Sequence, residues 1–197
     1  MLLTAAPLRD PAPMLERTLQ EWGGADDLWV FGYGSLIWRP DFEFVERLDA
    51  KVYGWHRALK MWSRINRGTP QCPGLVFGML SGGSCKGVIF RIDKAHGQEV
   101  MRNLWQREMV LGVYDPRWLE CHTSEGPIRA LAFTLSRNSP SHTGNLSDSE
   151  YCRIFAEACG KYGTTHDYAL ATHEQLLQMG IEDRALARLL SLPKQQT

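Results

Sequence analysis

Extended apolar segments crowd the middle of this chain, from Leu28 to Leu135, and helical periodicity takes over after them. That ordering limits the fold more than any other feature. Strands joined by short turns pair antiparallel, whereas a parallel sheet needs a helix between successive strands. "LVFGML" and "GVIFRI" flank "SGGSCK", which reads as a hairpin connection. "RWLECHT" and "IRALAFTL" flank "SEGP", a second hairpin. "KVYGWHRALKMW" is a further strand-like stretch, followed by the Gly- and Pro-rich loop "RINRGTPQCPG". A single helix, "KAHGQEVMRNLWQREM", lies between the two hairpins. Three more follow the last strand. Ser147 and Glu150 fit a capping box. Thr164 or Thr165 can cap "HDYALATHEQLLQM", which Gly180 ends, and "EDRALARLL" is the last helix. Antiparallel strands with segregated helices give the α+β class.

Residues 1–27 read as a helical appendage: Met14, Leu15, Leu19 and Trp22 have helical spacing, and "GGADD" breaks the helix. Residues 28–197 are then one domain. Lys plus Arg equals Asp plus Glu at 22 each, which leaves no basic footprint for nucleic acid or an anionic membrane. The apolar runs are too short to span a bilayer, and "MLLTAAPLRD" has neither a basic start nor a long apolar stretch. The 5 cysteines, widely spaced and without a C-x-x-C, read as reduced thiols of a cytoplasmic protein. No obligate protein partner is implied.

The familiar motifs fail. "GYGSLI" starts like a dinucleotide-binding G-x-G-x-x-G but places Ile37 at the third glycine, and G-x-S-x-G fails around Ser35. "SGGSCKG" lacks P-loop spacing. His166 and His173 are seven residues apart on one helix, about 10.5 Å along its axis, too far for one ion. No metal and no cofactor are expected.

Two features remain. On the mid-chain helix Met101, Leu104 and Trp105 form an apolar stripe that Glu108 continues, at the helix C-terminal end. Desolvation and the helix dipole both raise the pKa of a carboxyl placed there, as a general acid or base requires. A simple ion pair with Arg107 or Arg102 is the competing reading. The other feature is "WVFGYGSLIW", Trp29 to Trp38, where Gly32, Gly34 and Ser35 interrupt the most apolar strand. A Gly-rich bend, free to adopt positive φ, exposes amides that can cradle an anion, and the Ser35 hydroxyl adds a donor. A β-bulge or strand end accounts for the glycines equally well.

"VFGYGSLIW" followed by "LWQREM", with "RGT" and "PG", "GVIFRI", "LGVYDPRW" and "GTTHDYALATHEQL", resembles the ChaC family of γ-glutamylcyclotransferases over roughly residues 28 to 190. The resemblance implies a small mixed β-barrel with flanking helices. It also implies cleavage of glutathione to 5-oxoproline and cysteinylglycine without ATP or metal. It makes Glu108 the catalytic acid/base. It assigns Gly32, Tyr33, Gly34, Ser35, Leu36 and Ile37 to the γ-glutamyl loop, and Tyr168 to the pocket wall. One departure stands out: Leu75 occupies a position where relatives commonly carry arginine, which leaves other γ-glutamyl substrates open. A non-catalytic role linked to cation transport is the rival, and the presence of Glu108 argues against it.

Overall fold

The computed structural model describes residues 9–192. Helix α1 (Ala12–Trp22) precedes β1 (Leu28–Gly32), a short 3-10 turn (Ser35–Ile37), and the long strands β2 (Glu46–Ser63) and β3 (Gly74–Ile92). Helix α2 (Lys94–Glu108) and the hairpin β4 (Asp115–Thr123) and β5 (Gly126–Thr134) follow. The tail is α3 (Asp148–Glu157), the short ribbon β6 (Cys159–Gly160) and β7 (Gly163–Thr164), α4 (Thr165–Gln178) and α5 (Arg184–Ser191).

β1 to β5 form a closed barrel in the order β1-β3-β2-β4-β5. The barrel closes where β1 runs parallel to β5, with Val30 opposite Leu131. All other barrel pairs are antiparallel, so the sheet is mixed. Phe31, Phe90, Ile89, Leu131 and Met79 are fully buried in the core.

One expected turn is absent. "SGGSCK" is not a hairpin connection but the middle of β3, whose two halves both pair with β2: Trp55 faces Ser81 and Tyr53 faces Ser84. A hairpin requires the two arms to pair with each other. Here Gly82 and Gly83 take φ of 98° and 73°, opposite Gly54 at 78°. The glycines serve a bulge that bends two long strands around the barrel rather than reversing the chain. The reversal lies instead at residues 64–73, between β2 and β3.

The described part of the N-terminal segment packs on the domain. Trp22 lies on Gly97 of α2 so closely that a Cβ there would be 2.4 Å from the indole. The Trp105 indole donates to Pro11 O at 3.0 Å, and Arg9 donates to Gly112 O at 2.7 Å and Tyr114 O at 2.8 Å. Residues 1–8 of the expected appendage, and 193–197 of the expected domain, lie outside the described residues.

The helix signals hold where a side chain caps a free amide. Ser147 and Glu150 form the capping box of α3, and Thr164 accepts from Asp167 N to start α4. The helical tail is tied to the barrel by Arg57 of β2. It bonds Asp183 Oδ2 at 2.9 Å, Tyr33 O at 2.9 Å and Lys86 O at 3.1 Å. This fixes the chain beside β1 just before the 3-10 turn.

Candidate active site

β1 ends at Gly32, and the chain turns at once into the 3-10 turn. Gly32 is needed for space: a Cβ would lie 3.1 Å from Leu36 Cβ and 3.3 Å from Phe90 and Val88. Gly34 has φ −132°, so the expected positive φ is not what selects glycine. A Cβ at 34 would sit 3.2 Å from the Tyr168 hydroxyl. The bare backbone therefore lets Tyr168 of α4 close against the bend. Ile37 N and Trp38 N bond back to Gly34 O and Ser35 O, each one turn behind. The amides of Ser35 and Leu36 precede those bonds, as the first N–H groups of any helical turn do.

Beside this bend lies a cavity of about 580 Å³. Its walls come from the segment after β1 (Ser35, Arg39), the end of β2 and its loop (Ser63 to Arg67), the end of α2 (Arg107, Glu108) and the β6–α4 region (Tyr162, Tyr168). The structure thus brings Ser35, Glu108 and Tyr168 together. The Tyr33, Leu36 and Ile37 side chains are instead buried in the core, and the Tyr33 hydroxyl donates to Phe133 O at 2.7 Å. Gly32, Tyr33, Gly34, Leu36 and Ile37 do not line the cavity. Leu75 is wholly buried and outside the lining as well. The Leu75 side chain forms no part of the cavity surface.

Glu108 is the last residue of α2. Desolvation raises its pKa above the ordinary carboxylate value, while Arg107 and Arg39 pull it down and Asp41 pushes it up. Burial wins. The competing ion pair is also present: Arg107 Nε lies 3.0 Å from Glu108 Oε1. Arg107 continues outward to Arg39 O at 2.7 Å, Pro40 O at 3.0 Å, Asp41 Oδ2 at 2.9 Å and Ser35 Oγ at 3.1 Å. One guanidinium clasps the carboxylate and the Ser35–Asp41 segment together. Its neighbour position in "QREM" marked it only as a pairing partner; the link to residues 35–41 is a long-range contact that spacing does not encode.

The Tyr168 hydroxyl accepts from Phe77 N at 3.3 Å. Among the described residues no protein group takes its proton. Burial pushes its pKa up to about 12, so at neutral pH it is an O–H donor. The lining as a whole carries five basic side chains, Arg39, Arg64, Arg67, Arg107 and Lys161, against Asp41 and Glu108. Such a lining favours an anionic small molecule. Arg67 and Arg64 have no role in the sequence reading: "RINRGTPQCPG" reads as a loop, and "RGT" enters only as a matching motif.

A family model described as ChaC-like protein matches residues 28–196. The chain is 32% identical over 164 residues to the glutathione-specific γ-glutamylcyclotransferase of Escherichia coli, covering 83% of this chain and 71% of that protein. It is 32% identical over 172 residues to glutathione-specific γ-glutamylcyclotransferase 1 of Rattus norvegicus, covering 85% and 77%. A crystal structure of a γ-glutamyl cyclotransferase specific to glutathione from yeast superposes with a TM-score of 0.78. It is 22% identical and is covered to 96%, against 86% of this chain. At that identity the likeness speaks for the fold.

Proposed function

The chain belongs to the ChaC-like protein family, and we propose that it is a glutathione-specific γ-glutamylcyclotransferase, with Glu108 as its acid/base. The observation that carries this reading is a carboxyl of raised pKa on the wall of a basic cavity. Glutathione brings two carboxylates and one α-amine to such a wall. The Ser35 and Leu36 amides and the Ser35 hydroxyl receive the α-carboxylate, which places the α-amine beside Glu108.

The chemistry needs little more. The α-amine and the γ-carbonyl belong to one residue of the substrate, so proximity comes largely with the ligand. Glu108 takes a proton from the attacking nitrogen. The new C–N bond closes the 5-oxoproline ring, and the bond to the cysteine nitrogen breaks. Glu108 returns the proton to that nitrogen, releasing cysteinylglycine. No water is consumed and no oxidation state changes. The Tyr168 hydroxyl is the donor for the oxygen that gains charge at the carbonyl, because its O–H is buried, protonated and unspent.

The reaction suits a reducing compartment, and the five unpaired cysteines fit a cytoplasmic protein. No helix among the described residues is long and apolar enough to cross a membrane. The test is incubation of the pure protein with glutathione. 5-Oxoproline and cysteinylglycine must appear in equal amounts; release of free glutamate instead would mean a hydrolase.

A further inference from the structure

The five basic residues of the cavity are not equivalent. Arg107 faces Glu108 and Asp41, and Arg39 faces Asp41 at 3.0 Å. Arg64 and Lys161 are exposed. Arg67 alone is both buried, at 8% exposure, and without a carboxylate within ion-pair distance among the described residues. Its Nη1 donates to Tyr162 O, and its guanidinium carbon lies 4.9 Å from the Tyr168 ring centroid. A carbonyl and an aromatic face do not neutralise a cation. Removing an ion from water without a counter-ion is costly.

The backbone nevertheless holds Arg67 firmly in place. Its N–H donates to Ser63 Oγ at 3.0 Å. A Cβ on Gly74 would lie 2.0 Å from Arg67 O, and a Cβ on Gly160 2.6 Å from Arg67 N. Close-packed glycines on both sides fix the residue that carries the uncompensated charge. Burial already presses its pKa down. A position maintained against that penalty is a site awaiting an anion.

We propose that Arg67 receives the C-terminal carboxylate of the substrate and thereby selects γ-glutamyl peptides over γ-glutamyl amines. This rests on the cyclotransferase reading above. The α-carboxylate shares its carbon with the reacting amine, so it must lie by Glu108, at the end of α2. Arg67 enters from another wall, on the loop after β2, with the Tyr168 ring between it and the Gly34 bend. The two carboxylates of one extended peptide are therefore held at separate places. The fork geometry of arginine suits a bidentate grip on the second one.

The experiment compares glutathione with its C-terminal amide, which keeps the γ-glutamyl group and loses the far charge. The native protein should favour the acid by about 10–100-fold in KM, the range for a hydrogen-bonded charge pair. In Arg67→Gln the preference should collapse, read as the ratio of the KM values for the two compounds. Arg67→Lys, which keeps the charge without the fork, should fall between. Calorimetric binding of both compounds in the Glu108→Gln background reads the same preference without turnover. A native protein that ignores the missing charge overturns the proposal, and so does an Arg67→Gln variant that loses both compounds equally. If Arg67→Gln does not fold, the native preference and Arg67→Lys decide. If the native protein binds both compounds with the stated preference but makes no 5-oxoproline, the cyclotransferase reading fails while the Arg67 assignment stands.

Discussion

Arg107 Nε and Glu108 Oε1 meet at 3.0 Å although the two residues are consecutive in α2. Neighbours on a helix normally point about 100° apart. They meet here because both belong to the last turn, where the side chains can bend into the same cavity. The arginine lowers the pKa of Glu108 and burial raises it, with burial the larger.

Removing the arginine charge should shift the pH profile. The groups acting on Glu108 are Arg107, Arg39 and Asp41. Arg107→Gln deletes the largest of the lowering influences, so the pKa of Glu108 rises further. A general base works deprotonated, so the acid limb of kcat/KM should move to higher pH, and activity should return as pH is raised. Arg107→Lys should leave the limb nearer its native position but lower kcat, because one ammonium cannot hold Ser35, Arg39, Pro40 and Asp41 at once. An unmoved acid limb in Arg107→Gln would argue against proton transfer by Glu108.

Gly34 should tolerate no larger residue while Tyr168 keeps its hydroxyl. A Cβ would stand 3.2 Å from that oxygen, and overpacking of this kind costs about 1–3 kcal/mol. Gly34→Val is expected to lower Tm and to raise KM for glutathione. Combining it with Tyr168→Phe should recover part of the lost Tm, because the clashing atom is gone. Equal Tm values in the single and double variants would place the strain elsewhere.

Glu108→Gln should fold at least as stably as the native chain at neutral pH. The folded pKa is raised above the ordinary 4.5, so the folded state holds its proton more tightly than the unfolded chain. Deprotonation then opposes folding. The penalty is absent below the ordinary value, grows as pH rises, and is complete above the raised one. The Tm difference between the variant and the native chain should therefore shift in favour of the variant as pH rises through that window. A shift in the opposite direction would mean that the Arg107 pair outweighs burial.

Much of this molecule is legible in its sequence, and the missing parts have identifiable causes. Helices α2 to α5 follow from apolar spacing and from caps such as Ser147 and Thr164, which act within a few residues. The β4–β5 hairpin follows from its short turn. "SGGSCK" misleads because glycines that bend a strand and glycines that reverse it look alike until the pairing partner is known. Glu108 is visible as a carboxyl on an apolar stripe. The glycine pair is visible too, but its reason is steric contact with Leu36 and with Tyr168, the second far along the chain. Arg67 is hidden because its loop shows nothing periodic, and its burial depends on Gly74 and Gly160 closing around it.

Blocking the α-amine should stop the reaction. That nitrogen is the nucleophile, so N-acetylglutathione is expected to be inert even where it binds. An α-amide analogue should be poor, because the amides at Ser35 and Leu36 lose their anion; each donor left unpaired costs on the order of 1–3 kcal/mol. Turnover of the N-acetyl compound, followed by release of cysteinylglycine, would rule out intramolecular ring closure.

Rate and binding in Glu108→Gln test the central claim most directly. Glutamine preserves the size and much of the hydrogen bonding of glutamate but cannot carry the proton. The account predicts that the folded variant still binds glutathione while 5-oxoproline formation falls by about 10²–10⁴-fold, the usual contribution of a general acid–base group. A folded variant that keeps more than about a tenth of the native rate would contradict it.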